Sequence, residues 1–261
     1  MVQIQTGRAQ VCPAVDFEYQ PPPAAFAAQR ILVKPNLGYP VAPPVTVSMP
    51  VLAAVLRGLR QASPDAEILI VEGVCSPVSL NKIAAGHGLY ALLDAKMQLL
   101  DADELPLRDY PNLSPQPVRF QSMQAPALLS EVDCRISVGA FKRTILKDQP
   151  LISASLKNLY GLFPRQHYKA RSANSRGQLH RPSVPLVLQD VYFCIGHLFD
   201  GAVVDANQKF VSADWKPDRG QTVELGKVIW GEMLSADRLA CELGDESKPD
   251  YLTAIEALIT G

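Results

Sequence analysis

The chain has little that would tie it to a membrane, a metal cluster or a polyanion. No apolar run approaches the roughly 20 residues that span a bilayer. The opening MVQIQTGRAQVCPAVDFEYQPPP has none of the apolar core of a secretory signal. The five cysteines (Cys12, Cys75, Cys134, Cys194, Cys241) are scattered, odd in number and never arranged as Cys-x-x-Cys. That argues against a disulfide framework, a zinc site and an iron–sulfur cluster, and fits reduced core thiols in a cytoplasmic protein. Net charge is −1, so nothing global favours nucleic acid or a membrane surface, and any electrostatic argument must be local. Walker A, G-x-S-x-G and H-E-x-x-H patterns are missing. Gly86-His87-Gly88-Leu89-Tyr90-Ala91 has the letters of a dinucleotide fingerprint without the strand–turn–helix context that gives those letters meaning.

What the chain does have is a full apolar complement, 48% of 261 residues. This suits one α/β domain, with residues 1–29 as a lead-in belonging to it and 30–261 as its body. Arg30–Val33 reads as a buried strand breaking at Pro35. Ser48 is placed to cap a helix in which Val51, Leu52, Val55, Leu56 and Leu59 share one face. Ala66–Val71 is a second strand, so strand, helix and strand form a βαβ unit with parallel pairing. Further strands are expected at Met97–Leu100, Val118–Phe120, Arg135–Val138, Ala202–Val204 and Lys227–Trp230. Helices are expected at Leu80–Leu93, Pro150–Leu162, Ser183–Leu198, Ala236–Leu243 (capped by Ser235) and Tyr251–Ile259. The fold class is therefore α/β, a mixed, partly parallel sheet with flanking helices.

Ligands of such sheets sit beyond the carboxyl ends of the strands. That rule selects Lys34 and Asn36, Glu72 and Gly73, Gly139 and Lys142, and Asp205 and Asn207. Strands must end in polar loops in any case, so position alone does not make a site. Between Arg135 and Arg181, however, lie Lys142, Arg143, Lys147, Lys157, Arg165, Lys169, Arg171 and Arg176, with His167 and His180, against one carboxylate, Asp148. A solvated face is the ordinary explanation of a charge run. Lys157 resists it, because LISASLKNLYGLFP surrounds it with apolar residues. A partly buried ammonium needs an acid or an anionic ligand, and Glu72 or Asp205 is the acid expected from across the fold. Lys169–Gly177 has no apolar periodicity and reads as a mobile loop. Tyr160, Phe163 and Tyr168 interleave with the basic residues, which is a thin case for nucleic acid.

Several blocks occur in order: ILVKPNLGYP, ILIVEG, VDCRISVGAFKRT, SLKNLYGLFP, FDGAVVDA and LGKVIWGEMLSADRLACELG. Together they resemble the DUF362 family, bacterial and archaeal proteins of unassigned function. The resemblance runs from about Arg30 to the end and implies motif positions at Lys34, Asn36, Lys142, Lys157, Asn158 and Gly161, and at Asp205. Family members often carry Lys-Thr-His after the central strand, where this chain has Lys142-Arg143-Thr144. A histidine role would have to come from His167 or His180. Some members also carry ferredoxin-like cysteine clusters, and an electron-transfer role does not carry over to a chain without them.

The expectation is an enzyme acting on a small phosphate- or carboxylate-bearing metabolite. Lys157, Lys142, Glu72 and Asp205 would carry the chemistry. Lys34, Asn36, Asn158, Gly139, Arg143, His167 and His180 would bind the ligand. Glu72 or Asp205 would be a general base or hold a divalent cation, and a lysine among other cations could itself be base or nucleophile. No cofactor is specified. The rivals are a non-catalytic anion sensor and a nucleic-acid binder using the basic segment 135–181. Whether the chain is catalytic and how it oligomerises stay open at this point.

Overall fold

Runs of branched apolar residues too short for helices form the centre of the fold. The computed structural model describes residues 9–214, 216 and 219–260. The chain begins with an edge strand, β1 (Gln10–Pro13), then β2 (Arg30–Pro35), helix α1 (Met49–Ala62) and β3 (Glu67–Glu72). Helix α2 (Leu80–His87) leads to β4 (Met97–Asp101), and β5 (Leu107–Pro111) pairs with β6 (Ser122–Pro126) in a separate ribbon. The long β7 (Cys134–Leu146) turns into β8 (Gln149–Ser153), followed by α3 (Ser155–Asn158), α4 (Arg165–Tyr168) and α5 (Val184–Cys194). Strands β9 (Gly201–Val211) and β10 (Gln221–Gly231) and helices α6 (Met233–Leu243) and α7 (Asp250–Thr260) complete it.

Among the described residues, eight of these strands form one mixed sheet ordered β1-β10-β9-β7-β2-β3-β4, with β8 paired to β7. The β9-β7-β2-β3-β4 block is parallel, while β1, β10 and β8 pair antiparallel. β2 and β3 are buried on both faces, which is why each reads as an unbroken apolar run. Alternate residues serve opposite layers. Ile31, Val33, Ile68 and Ile70 pack with Val51, Leu52, Val55 and Leu59 of α1. Leu32, Leu69 and Val71 share the other layer with Leu156, Val187, Leu188, Ala240, Leu252 and Ile255. Each large side chain buried this way contributes about 1.5–3 kcal/mol, so both layers hold β2 in place and fix where its carboxyl end points.

The parallel block reverses direction at β2. Strands β3 and β4 build outward on one side, β7 and β9 on the other. The crevice between the ends of β2 and β7 is therefore the switch point at which such sheets place ligands.

Several expectations need correction. β7 continues past Gly139 to Leu146, so Gly139, Lys142 and Arg143 lie within a strand. Asp205 likewise lies inside β9, and no strand covers Val118–Phe120. Pro150–Leu162 is not one helix: β8 occupies its first part, and a single α-turn and a 3₁₀ turn the rest. The hairpin that makes this switch turns through Lys147 and Asp148, both left-handed (φ 52° and 60°). Ser48 does not cap α1 with its hydroxyl, and α6 is capped by the Glu232 carboxylate, which accepts the Leu234 and Ser235 N–H groups, rather than by Ser235.

Candidate functional site

Beside the switch point a buried ion pair bridges β2 and β3. Lys34, near the end of β2, is 1% exposed, and Glu72, the last residue of β3, is 2% exposed. Their Nζ–Oε1 distance is 2.7 Å. The ammonium also donates to the Pro35 carbonyl (2.7 Å) and to Asn158 Oδ1 (3.1 Å). Its hydrogens are thus all engaged. Glu72 is equally engaged: Oε2 accepts the Leu37 N–H (2.7 Å) and Oε1 the Gly73 N–H (2.8 Å). Asn158 closes the crevice from α3, its amide donating to the Lys34 carbonyl (2.8 Å) and to Ser137 Oγ of β7 (3.2 Å). Burial pushes the Lys34 pKa down and the Glu72 carboxylate opposes that push. Protein groups saturate this unit, which leaves no hydrogen of Lys34 for a ligand.

Two further lysines stand beside it in a different condition. Lys142 projects from β7, and its one hydrogen bond among the described residues runs to the Val45 carbonyl (2.7 Å). Burial first, then the charge of Lys157, bring its pKa down to about 7. Lys157 has no hydrogen-bond acceptor or carboxylate partner among the described residues, and its Nζ lies 5.4 Å from the Tyr160 ring centroid. Burial lowers its pKa too. The acid expected for Lys157 is therefore not supplied: Glu72 is committed to Lys34. Tyr160 meets the His180 ring edge-on at 5.9 Å, and burial with the Lys157 and Lys147 charges lowers His180 to about 4. His180 also lines a groove of about 810 Å³ between the β7–β8 hairpin, the start of α5 and the α6–α7 connection.

The turn that presents Lys157 and Asn158 is held from below. Asp237 of α6, fully buried, accepts the Ser155 N–H (2.7 Å), the Ser155 hydroxyl (2.5 Å) and the Leu156 N–H (3.1 Å). Burial raises its pKa to about 6. Gly139 lets this turn cross β7, since a Cβ there would sit 2.7 Å from the Ala154 carbonyl.

Arg176 escapes sequence reasoning altogether. Its segment reads as a mobile flank, yet Arg176 is 2% exposed. Its guanidinium donates to the carbonyls of Phe163, Gly73, Val74 and Gly161 and to Cys75 Sγ (3.2 Å). Asp103 pairs with it at 3.5 Å and with Arg165 Nε at 2.5 Å. The segment is strapped to the end of β3, and the basic stretch is not one continuous face. A Cβ on Gly161 would lie 2.2 Å from Glu72 Oε1, and one on Gly73 would lie 2.2 Å from the Gly161 carbonyl. The two glycines in VEGV and LYGL were the only sequence sign of this close approach.

The remaining expected residues are dispersed. Asn36 is half-buried; its carbonyl accepts the Val47 N–H (3.0 Å), and its side-chain amide has no partner among the described residues. Asp205 is taken up by the backbone, accepting the Ser48 N–H (2.8 Å) at the start of α1 and the Asn207 N–H (3.2 Å). Arg143 faces Glu246 at 3.9 Å and lines the groove. His167 is exposed on α4, with no side-chain hydrogen bond or ion pair among the described residues. No cluster of three or more His, Cys, Asp or Glu among the described residues is disposed to hold a metal ion. No helix among them is long and apolar enough to cross a membrane.

Comparison with known proteins gives a family and a fold. The profile of DUF362, a domain of unknown function, matches residues 31–242. A search of curated proteins finds no match. Among solved structures, the lactate racemase apoprotein from Thermoanaerobacterium thermosaccharolyticum superposes with a TM-score of 0.53 at 14% identity. The alignment covers 88% of this chain and 52% of that one, so the chain spans about half the length of that protein. At this identity the likeness concerns the fold.

Proposed function

The chain belongs to the DUF362 family, and from that premise we propose that it is an enzyme acting on a small carboxylate- or phosphate-bearing metabolite held by Lys157 and Lys142. The observation that carries this reading is an imbalance of charge. Lys34 and Glu72 cancel each other, while Lys142 and Lys157 have no carboxylate partner among the described residues, and burial with the Lys157 charge lowers the Lys142 pKa. Neighbouring cations without a counter-ion are costly in a protein interior. An anionic ligand removes that cost through charge-assisted hydrogen bonds. The Asn36 amide, which follows β2 and has no partner among the described residues, is suited to orient the bound group. His180 and the groove provide the approach. The neighbour's name, lactate racemase, supports a small carboxylate as the ligand class.

The test is a thermal-shift and calorimetric screen of lactate, malate, phosphate and phosphorylated sugars, since a ligand that binds only the folded state raises its melting temperature. Lys157→Ala is expected to abolish the response with an unchanged circular dichroism spectrum. Unaltered binding by that variant would remove Lys157 from the site. One observation favours the second reading, a non-catalytic anion sensor: both carboxylates near the strand ends, Glu72 and Asp205, spend their oxygens on structural hydrogen bonds. Binding without turnover of any bound anion would support it.

A further inference from the structure

Resting on that reading, we propose that Lys142 is a nucleophilic amine that condenses with the carbonyl of an oxo acid whose anionic group sits on Lys157. The argument is a division of labour among three lysines, read from their hydrogen-bond partners. Lys34 gives its hydrogens to Pro35, Asn158 and Glu72 and faces a carboxylate. Such a nitrogen, paired with a carboxylate and enclosed by acceptors, is not placed to attack a carbonyl. Lys157 donates to no protein acceptor among the described residues and rests against the face of Tyr160. It is a free cation, suited to an incoming anion. Among the described residues, Lys142 donates to one carbonyl, that of Val45, and meets no carboxylate. A neutral amine satisfies that carbonyl with one hydrogen and keeps its lone pair for attack.

The surroundings favour the neutral form. Burial, Lys157 and Lys34 all disfavour a charge on Lys142, with Glu72 opposing and already paired. A lysine desolvated beside another cation is an established way to make an amine nucleophile at neutral pH. The step balances without a further reagent. Nζ attacks the carbonyl carbon, and the C–N bond forms as the C=O π electrons move to oxygen. That oxygen leaves as water with the two hydrogens of the amine, and a C=N bond remains. When protonated, the imine draws electrons from the adjacent carbon, which the Lys157 contact holds in place.

The experiment is reductive trapping on the full chain at neutral pH. The protein is incubated with glyoxylate or pyruvate and sodium cyanoborohydride, and the adduct is counted by intact mass and located by peptide mapping. One adduct per chain on Lys142 is expected. Lys142→Met should abolish it. Lys157→Met should slow trapping of glyoxylate on the order of tenfold and slow trapping of a neutral aldehyde, butyraldehyde, much less, only through the rise in the Lys142 pKa when the neighbouring charge is lost. Calorimetry with lactate, which has no carbonyl to condense, runs in parallel. Lactate binding without a Lys142 adduct overturns the amine assignment and leaves the anion site standing. Neither binding nor adduct overturns both. An adduct spread over surface lysines, or one on Lys142 formed equally fast with butyraldehyde, overturns the oxo-acid assignment.

Discussion

Lys34 and Lys157 belong to the same cluster and share the same chemistry, yet the fold treats them oppositely. Lys34 is enclosed with Glu72, Asn158 and the Pro35 carbonyl. Lys157, half-buried, has an aromatic face and no acceptor among the described residues. The lesson is that burial of a charge does not by itself mark function. What separates strut from candidate ligand-binding group is whether the protein has already used the group's bonding capacity. A buried pair that is complete resists removal of either member, whereas a cation left incomplete is a burden to the free protein.

The largest effect should come from breaking the complete unit. Glu72→Gln leaves Lys34 charged and buried without a counter-ion, which typically costs about 3–5 kcal/mol. Urea unfolding should show that loss. Adding Lys34→Met should recover part of it, because Gln still accepts a backbone N–H and no charge remains. A single variant as stable as the wild type would mean that Lys34 is neutral, and the contrast with Lys157 would collapse.

Arg176 sharpens the comparison from another side, since it too is a complete cation. Arg176→Met removes hydrogen bonds to four carbonyls and the contact with Asp103. Buried acceptors left unpaired cost about 1–3 kcal/mol each before relaxation. Opening of segment 164–177 should relieve most of this. Amide exchange there is expected to accelerate while exchange in β2 and β3 stays slow.

These two units also mark the limit of what the sequence discloses. Unbroken apolar runs in β2 and β3 are legible because both faces are buried, and Lys34 and Glu72 are legible as strand-end residues. Their pairing is not, because it depends on β2 and β3 lying side by side with Asn158 brought over from α3. The apolar setting of Lys157 was readable, but its lack of an acid was not, since Glu72 is equally available on paper. The β7–β8 hairpin was hidden because its turn uses Lys147 and Asp148 in left-handed conformations, where Asn-Gly or Asp-Gly is the usual signal. Arg176 was hidden because its partners are mainly carbonyls, which leave no trace in composition.

The incomplete side gives an effect of opposite sign. With a folded pKa near 7 against an ordinary 10.5, Lys142 binds its proton less well in the folded than in the unfolded chain. Between those values the unfolded state holds more protons, so stability rises with pH, and below about 7 the folded state bears the full cost. Lys142→Met should therefore stabilise the ligand-free protein at pH 6.5 by on the order of 2 kcal/mol, allowing for solvent around a half-buried side chain. The gain should shrink as pH climbs towards 10.5. Anion affinity should move the other way in the wild type, strongest when Lys142 is protonated and weakening as pH rises above about 7. A destabilised Lys142→Met variant would show that the Val45 contact outweighs the buried charge.

The smallest effect concerns Asp237, which sits beneath both outcomes because it holds the turn carrying Lys157 and Asn158. Its folded pKa of about 6 lies above the ordinary 3.8. Between those values the folded state binds more protons, so this group makes stability fall as pH rises from about 4 to 6. The Ser155 and Leu156 donors soften the fall, since they favour the carboxylate. Asp237→Asn keeps one acceptor oxygen for Ser155 and removes the buried charge, so near pH 7 the net change should stay within about 1 kcal/mol. The decisive reading is the pH dependence: the decline between pH 4 and 6 should be smaller in the variant, and lactate affinity should drop a few-fold as the turn loosens. If the decline persists unchanged in Asp237→Asn, another carboxylate is responsible for it, and Asp237 holds the turn without sensing protons.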